Sequence, residues 1–89
     1  MKKVKKLVEM GYEGMSYFTD PDYDDAIIGV DQDGRIVYDY DKMVDSLVNE
    51  DGMSRDDAVE FIEYNTVRTI PYMGSMAPVL LHRIDELDD

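Results

Sequence analysis

Asp20, Asp22, Asp24 and Asp25 place four carboxylates within six residues, and clustered carboxylates have two chemical uses. They coordinate hard cations such as calcium or magnesium, or they present a negative surface to a positively charged partner. In an extended segment, alternate residues lie about 6.8 Å apart on one side, comparable to the phosphate step along a nucleic-acid strand. A row of acids at that interval would suit a groove built for DNA or RNA. Asp31, Asp33, Asp39 and Asp41 continue the charge downstream, and Tyr17, Tyr23, Tyr38 and Tyr40 are near enough in sequence to supply aromatic anchors. The expected partner-binding set is therefore Asp20, Asp22, Tyr23, Asp24, Asp25, Asp31, Asp33, Asp39, Tyr40 and Asp41. The plain alternative is a solvated acidic loop with its tyrosines in the core.

Other chemistries find less support. Asp31-Gln32-Asp33-Gly34 resembles the middle of a calcium loop. With Gly34 at the obligatory turn, however, the first ligand position falls on Gly29 and the last on Tyr40, and neither offers a carboxylate. Weak divalent binding by Asp20–Asp25 is the remaining metal reading. His82 is the only histidine and cysteine is absent, so a transition-metal site is not expected. Ser16, Ser46, Ser54 and Ser75 fall where strands, helices or caps account for them, and nothing selects a catalytic pair from 21 acids. No catalytic residue and no cofactor is expected.

Asp and Glu outnumber Lys and Arg by 21 to 9, and four of the nine bases lie in the first six residues. From Leu7 onward 21 acids face five bases, a net charge of −16 on 83 residues. So negative a chain lacks the basic face that direct nucleic-acid binding requires, and the natural partner is a positively charged protein surface or a cation. At 44% the hydrophobic content suffices for one small core, so a single domain over 1–89 is expected. The absence of cysteine fits a reducing cytoplasm. No apolar run approaches a membrane span, and Leu7-Val8-Glu9 interrupts the signal-like start Met1–Lys6.

The elements that must position these residues follow from periodicity. Val4, Leu7 and Val8 recur at helical spacing over 2–10, with Gly11 as the stop. The lysines of this helix are either solvated or folded back onto the acidic body. Met15–Thr19 reads as a short strand and Asp20-Pro21-Asp22 as a turn. Ala26–Val30 and Arg35–Tyr40 flank a hairpin loop with Gly34 left-handed. That register pairs Asp31 with Arg35 and puts Ala26, Ile28, Val30, Ile36, Tyr38 and Tyr40 on one face. Asp41 caps a helix whose Met43, Val44, Leu47 and Val48 face inward, ending near Gly52. Ser54 caps another with Ala58, Val59, Phe61 and Ile62 inward.

Glu63–Tyr72 contains poor helix formers. Either Asn65 and Thr66 satisfy backbone groups where the helix meets its loop, or a strained helix end offers Asn65 and Arg68 to a partner. Pro71 should end the helix or follow shortly after it. Pro78–Ile84 reads as a last strand, and Asp85–Asp89 as a frayed tail. The fold class is α+β: a three- or four-stranded, mostly antiparallel sheet with about three helices.

Asp20–Tyr23, Ala26–Val30, Asp33-Gly34-Arg35, Val37–Lys42, Glu50–Ser54, Ala58, Glu60-Phe61-Ile62, Tyr64-Asn65-Thr66, Pro71-Tyr72 and Ala77-Pro78 carry a resemblance. Over roughly residues 11 to 82 the chain is similar to small acidic proteins encoded by Firmicutes and by their phages and mobile elements. The resemblance implies no catalytic residue. By size and charge such proteins are analogous to inhibitors of bacterial defence nucleases, the anti-CRISPR type. The expectation is thus a small acidic protein-binding module that occludes the nucleic-acid-binding surface of such a nuclease. The alternatives are a non-catalytic accessory protein that self-associates around Met73 and Met76, or a divalent-metal-binding protein.

Overall fold

Alternation of apolar and turn residues over 26–40 dictates the hairpin around which the rest is built. The computed structural model describes residues 2–84, and the expected tail Asp85–Asp89 lies outside them. Strands β1 (Ile27–Val30) and β2 (Ile36–Asp39) pair antiparallel, and β3 (Val79–Leu81) pairs parallel to β2, giving the order β1-β2-β3. The fold is α+β as expected, with a mixed sheet. Parallel strands need a long crossover, and helices α2 (Tyr40–Asp51) and α3 (Arg55–Phe61) lie within the one between β2 and β3. Helix α1 (Lys2–Glu9) precedes the sheet.

The hairpin loop forms as the spacing predicts. Gly34 is left-handed (φ 85°), Asp31 N–H donates to the Arg35 carbonyl at 2.9 Å, and Val30 lies opposite Ile36. Asp31 does not pair with the Arg35 side chain, however. Its Oδ1 accepts the backbone N–H groups of Asp33 and Arg35, both at 2.9 Å, and Asp33 takes the guanidinium at 3.7 Å. An irregularity between Ile27 and Gly29 then shifts the register. A bulge of this kind reverses which side chains face inward. Ile27 is buried and Ile28 exposed, so the expected single face of Ala26, Ile28 and Val30 is broken after Ala26.

Val4 and Leu7 of α1, Ile36 and Tyr38 of β2, Met43, Val44 and Leu47 of α2, and Ala58 and Ile62 form one core. Helix α2 begins directly where β2 ends. Asp39, and not Asp41, is its cap, accepting Lys42 N–H, and left-handed Gly52 closes it. Ser54 Oγ accepts Asp57 N–H at 3.1 Å and starts α3. The run continues through a π-helical segment (Ile62–Thr66) and a single α turn (Val67–Thr69), and Pro71 follows shortly after, near the start of a 3-10 turn (Ile70–Tyr72).

Met15–Thr19 is not a strand. Met15 and Phe18 are buried, but the backbone finds partners one at a time. Ser16 N–H reaches the Met76 carbonyl, and Phe18 N–H reaches the Tyr38 hydroxyl at 3.1 Å. Asp20–Asp25 is likewise not extended. A turn with a cis Asp20–Pro21 peptide leads into a 3-10 turn at Asp24–Ala26, so the expected row of carboxylates at strand spacing does not form.

Candidate protein-binding surface

A carboxylate recruited by the fold is satisfied before any partner arrives, and most of the expected cluster is of this kind. Asp22 Oδ1 accepts the N–H of Asp24 at 3.0 Å. Asp24 Oδ1 accepts the N–H of Lys3, also at 3.0 Å, so it caps the amino end of α1 from 21 residues away. The Lys3 ammonium folds onto the Asp25 and Ile27 carbonyls, which settles where one of the basic side chains lies. Asp39 has no exposed surface, and its Oδ2 receives Arg83 Nε at 2.7 Å. Asp41 faces Arg55 at 3.8 Å. Asp20, Asp25 and Asp33 are exposed.

The two tyrosines assigned as anchors are core residues. Tyr23 is 2% exposed and adopts left-handed backbone (φ 50°), a strained conformation for a bulky residue. Two contacts hold it there. Its ring meets Phe18 edge-on at 5.8 Å, and its hydroxyl bonds Thr66 Oγ1 at 2.8 Å in a buried position. Burial raises the Tyr23 pKa, with the Thr66 bond acting against the shift. Tyr40 is 8% exposed, its ring lies 4.4 Å from that of His82, and its hydroxyl donates to Glu63 Oε2 at 2.6 Å. Burial raises its pKa and the hydrogen bond to the Glu63 carboxylate adds to the shift. Both phenols are therefore committed internally.

The open surface lies instead along the long helical run. In its π-helical segment Val67 N–H reaches back five residues to the Ile62 carbonyl, and Asn65 Nδ2 donates to the Phe61 carbonyl at 3.1 Å. Asn65 does satisfy a backbone group, as one of the two readings has it, whereas the Thr66 side chain bonds another side chain, the Tyr23 hydroxyl. The widened turn also turns Thr66 inward to Tyr23 and leaves Asn65 exposed.

Two clefts share Phe61 and Asn65 as lining. The first, of about 430 Å³, has Thr19, Asp20, Asn65 and Thr69 at an exposed mouth. Half-buried Tyr17, Phe61 and Met73 wall it, over a buried floor of Phe18, Tyr23 and Thr66. The second, of about 450 Å³, sets Met53, Phe61 and Tyr64 against the carboxylates of Asp57 and Glu60. Arg68 lies over the Tyr64 ring at 4.9 Å. Met73 and Met76 are half-buried, Met73 as part of the first cleft.

Of the residues around these clefts, Asp20, Tyr17, Tyr23, Asn65 and Met73 are among those the sequence singles out, and Asp57 and Glu60 are not among its candidate site residues. Asp56, Asp57, Glu60 and Glu63 recur at three- and four-residue intervals, the helical period. That signal was readable once α3 was assigned. Among the described residues no group of acidic, histidine or cysteine side chains is arranged to hold a metal ion, and no helix is long and apolar enough to cross a membrane. The chain matches no protein-family model, no curated protein and no solved structure at a significant level.

Proposed function

We propose that this chain is a non-catalytic binding module that engages a positively charged surface of another protein through the paired clefts around Phe61 and Asn65. One observation carries the reading. Asp20, Asp57 and Glu60 border apolar clefts, and their side chains make no hydrogen bond or ion pair among the described residues. Carboxylates with no task inside the fold, set beside aromatic walls, suit a partner that brings both charge and apolar contact. The field of a chain with net charge −12 would accelerate encounter, and the cleft walls would slow release.

Nucleic-acid-binding proteins present the complementary surface, because they neutralise phosphates with Lys and Arg. The module would act by occluding that surface, and an inhibitor of a bacterial defence nuclease is the form that the resemblance suggests. The test is competition: the protein is titrated into a complex of a basic nuclease with labelled DNA, at salt from about 0.05 to 0.5 M. Displacement that weakens steeply with salt, and weakens further for Asp57→Asn combined with Glu60→Gln, supports the reading. Displacement untouched by salt and by both substitutions sinks it.

A further inference from the structure

The mouth of the first cleft sets one unpartnered carboxylate beside side-chain acceptors. Asn65 spends its amide on the Phe61 carbonyl. Only the NH₂ end can donate to a carbonyl, so Oδ1 faces outward to accept from a ligand, beside the second amide proton. Thr69 spends its hydroxyl proton on the Thr66 carbonyl at 2.7 Å, leaving Oγ1 lone pairs. Asp20 contributes a carboxylate with no partner among the described residues. Deeper in, Tyr17 and Phe61 add aromatic faces, and Met73 adds a polarisable apolar wall.

A ligand matched to this arrangement carries several donors, a positive charge and a flat face. We propose that the first cleft takes a single arginine side chain of the partner. This inference rests on the binding-module reading and names what the partner inserts. The aliphatic stem lies along Phe61 and Met73, and the guanidinium directs its N–H groups to Asp20, Asn65 Oδ1 and Thr69 Oγ1. Arginine has five donors in a rigid plane, whereas lysine has a compact ammonium that neither stacks nor spreads over separated acceptors. The same helical run already stacks its own Arg68 on Tyr64. An anionic ligand such as a phosphate would instead meet the Asp20 carboxylate in the field of a chain of net charge −12.

The experiment titrates the protein with three matched short peptides containing one Arg, one Lys or one citrulline, and follows backbone amide shifts by NMR. The Arg peptide should shift Thr19, Asp20, Asn65 and Thr66 saturably. The Lys peptide should bind at least about fivefold more weakly, and citrulline, which keeps the shape without the charge, should not bind. Asp20→Asn should weaken the Arg peptide by about tenfold with no change in melting temperature, since Asp20 is exposed and unpartnered. Equal affinity for Lys and Arg, or shifts confined to Asp56–Glu60, overturns the assignment. If the Arg peptide fails while salt-sensitive displacement of DNA persists, the arginine cleft falls and the binding-module reading stands.

Discussion

Asp24 and Glu60 carry the same charge on the same chain, yet their surroundings use them oppositely. Asp24 caps α1 through the Lys3 N–H, and its neighbours Asp22, Asp31 and Asp39 likewise accept backbone protons within turns and caps. Glu60 sits on α3 beside Asp56 and Asp57, exposed and without a side-chain partner among the described residues. The tyrosines divide along the same line. Tyr23, Tyr38 and Tyr40 are buried, whereas Tyr64 and Tyr72 stand in solvent, Tyr72 at 90% exposure. Density of like residues along a sequence is therefore a poor guide to an interface. A short polar side chain between strands and turns is claimed by the backbone, which must be satisfied first. On the outer face of a helix the backbone is already satisfied, and the charge remains for something else.

Asp39→Ala should show the contrast at its largest. The substitution removes the α2 cap and the charged hydrogen bond between Asp39 and Arg83, and a loss of about 3 kcal/mol is expected. Urea denaturation checks it, read as a fall in midpoint with an unchanged slope. A cost under about 1 kcal/mol would mean that Asp39 is no more structural than an ordinary surface acid.

The buried tyrosines give a second, pH-dependent effect. Burial pushes the Tyr38 phenol from 10.0 up to about 12, against the opposing hydrogen bond from Phe18 N–H. The unfolded chain therefore releases this proton first, binds fewer protons than the folded state, and gains as pH rises. The Tyr38 contribution is fully present below about pH 10 and is lost towards pH 12, by about 2 kcal/mol. Tyr40, whose pKa is also raised, acts in the same direction. Stability measured from about pH 9 to 12 should fall less steeply in Tyr38→Phe than in the parent. An identical slope in both would remove Tyr38 from the account.

The sequence makes legible what local chemistry decides. Gly34 and Gly52 stand where the chain must turn left-handed, Ser54 is the cap before an apolar-periodic helix, and Met43, Val44 and Leu47 fall inward by period alone. What it hides depends on distant partners. Ile27 and Ile28 are equally apolar, so nothing local says that the bulge turns one in and the other out. Asp39-Tyr40-Asp41 offers two caps of equal quality, and the end of β2 chooses between them. The parallel docking of β3 is invisible in three residues, Val79–Leu81, whose pairing lies about forty positions back. Asn65 and Thr66 did announce an irregular helix. Only the position of Tyr23 explains why the irregularity takes the π form, because the wider turn brings Thr66 to its hydroxyl.

The smallest effect separates the two regions most cleanly. Asp24→Ala should cost about 1 kcal/mol, the usual worth of a helix cap, and Asp24→Asn only a few tenths, since Asn caps as well. Glu60→Gln, which changes as much charge as Asp24→Asn, should leave stability within about 0.5 kcal/mol. Relief of repulsion from Asp56 and Asp57 could even raise it slightly. If Asp24→Ala and Glu60→Gln move the melting temperature alike, the cap at α1 contributes nothing and both acids are solvated charges. If only the first destabilises, the carboxylates of α3 are dispensable to folding. They are then free to serve the binding surface proposed above.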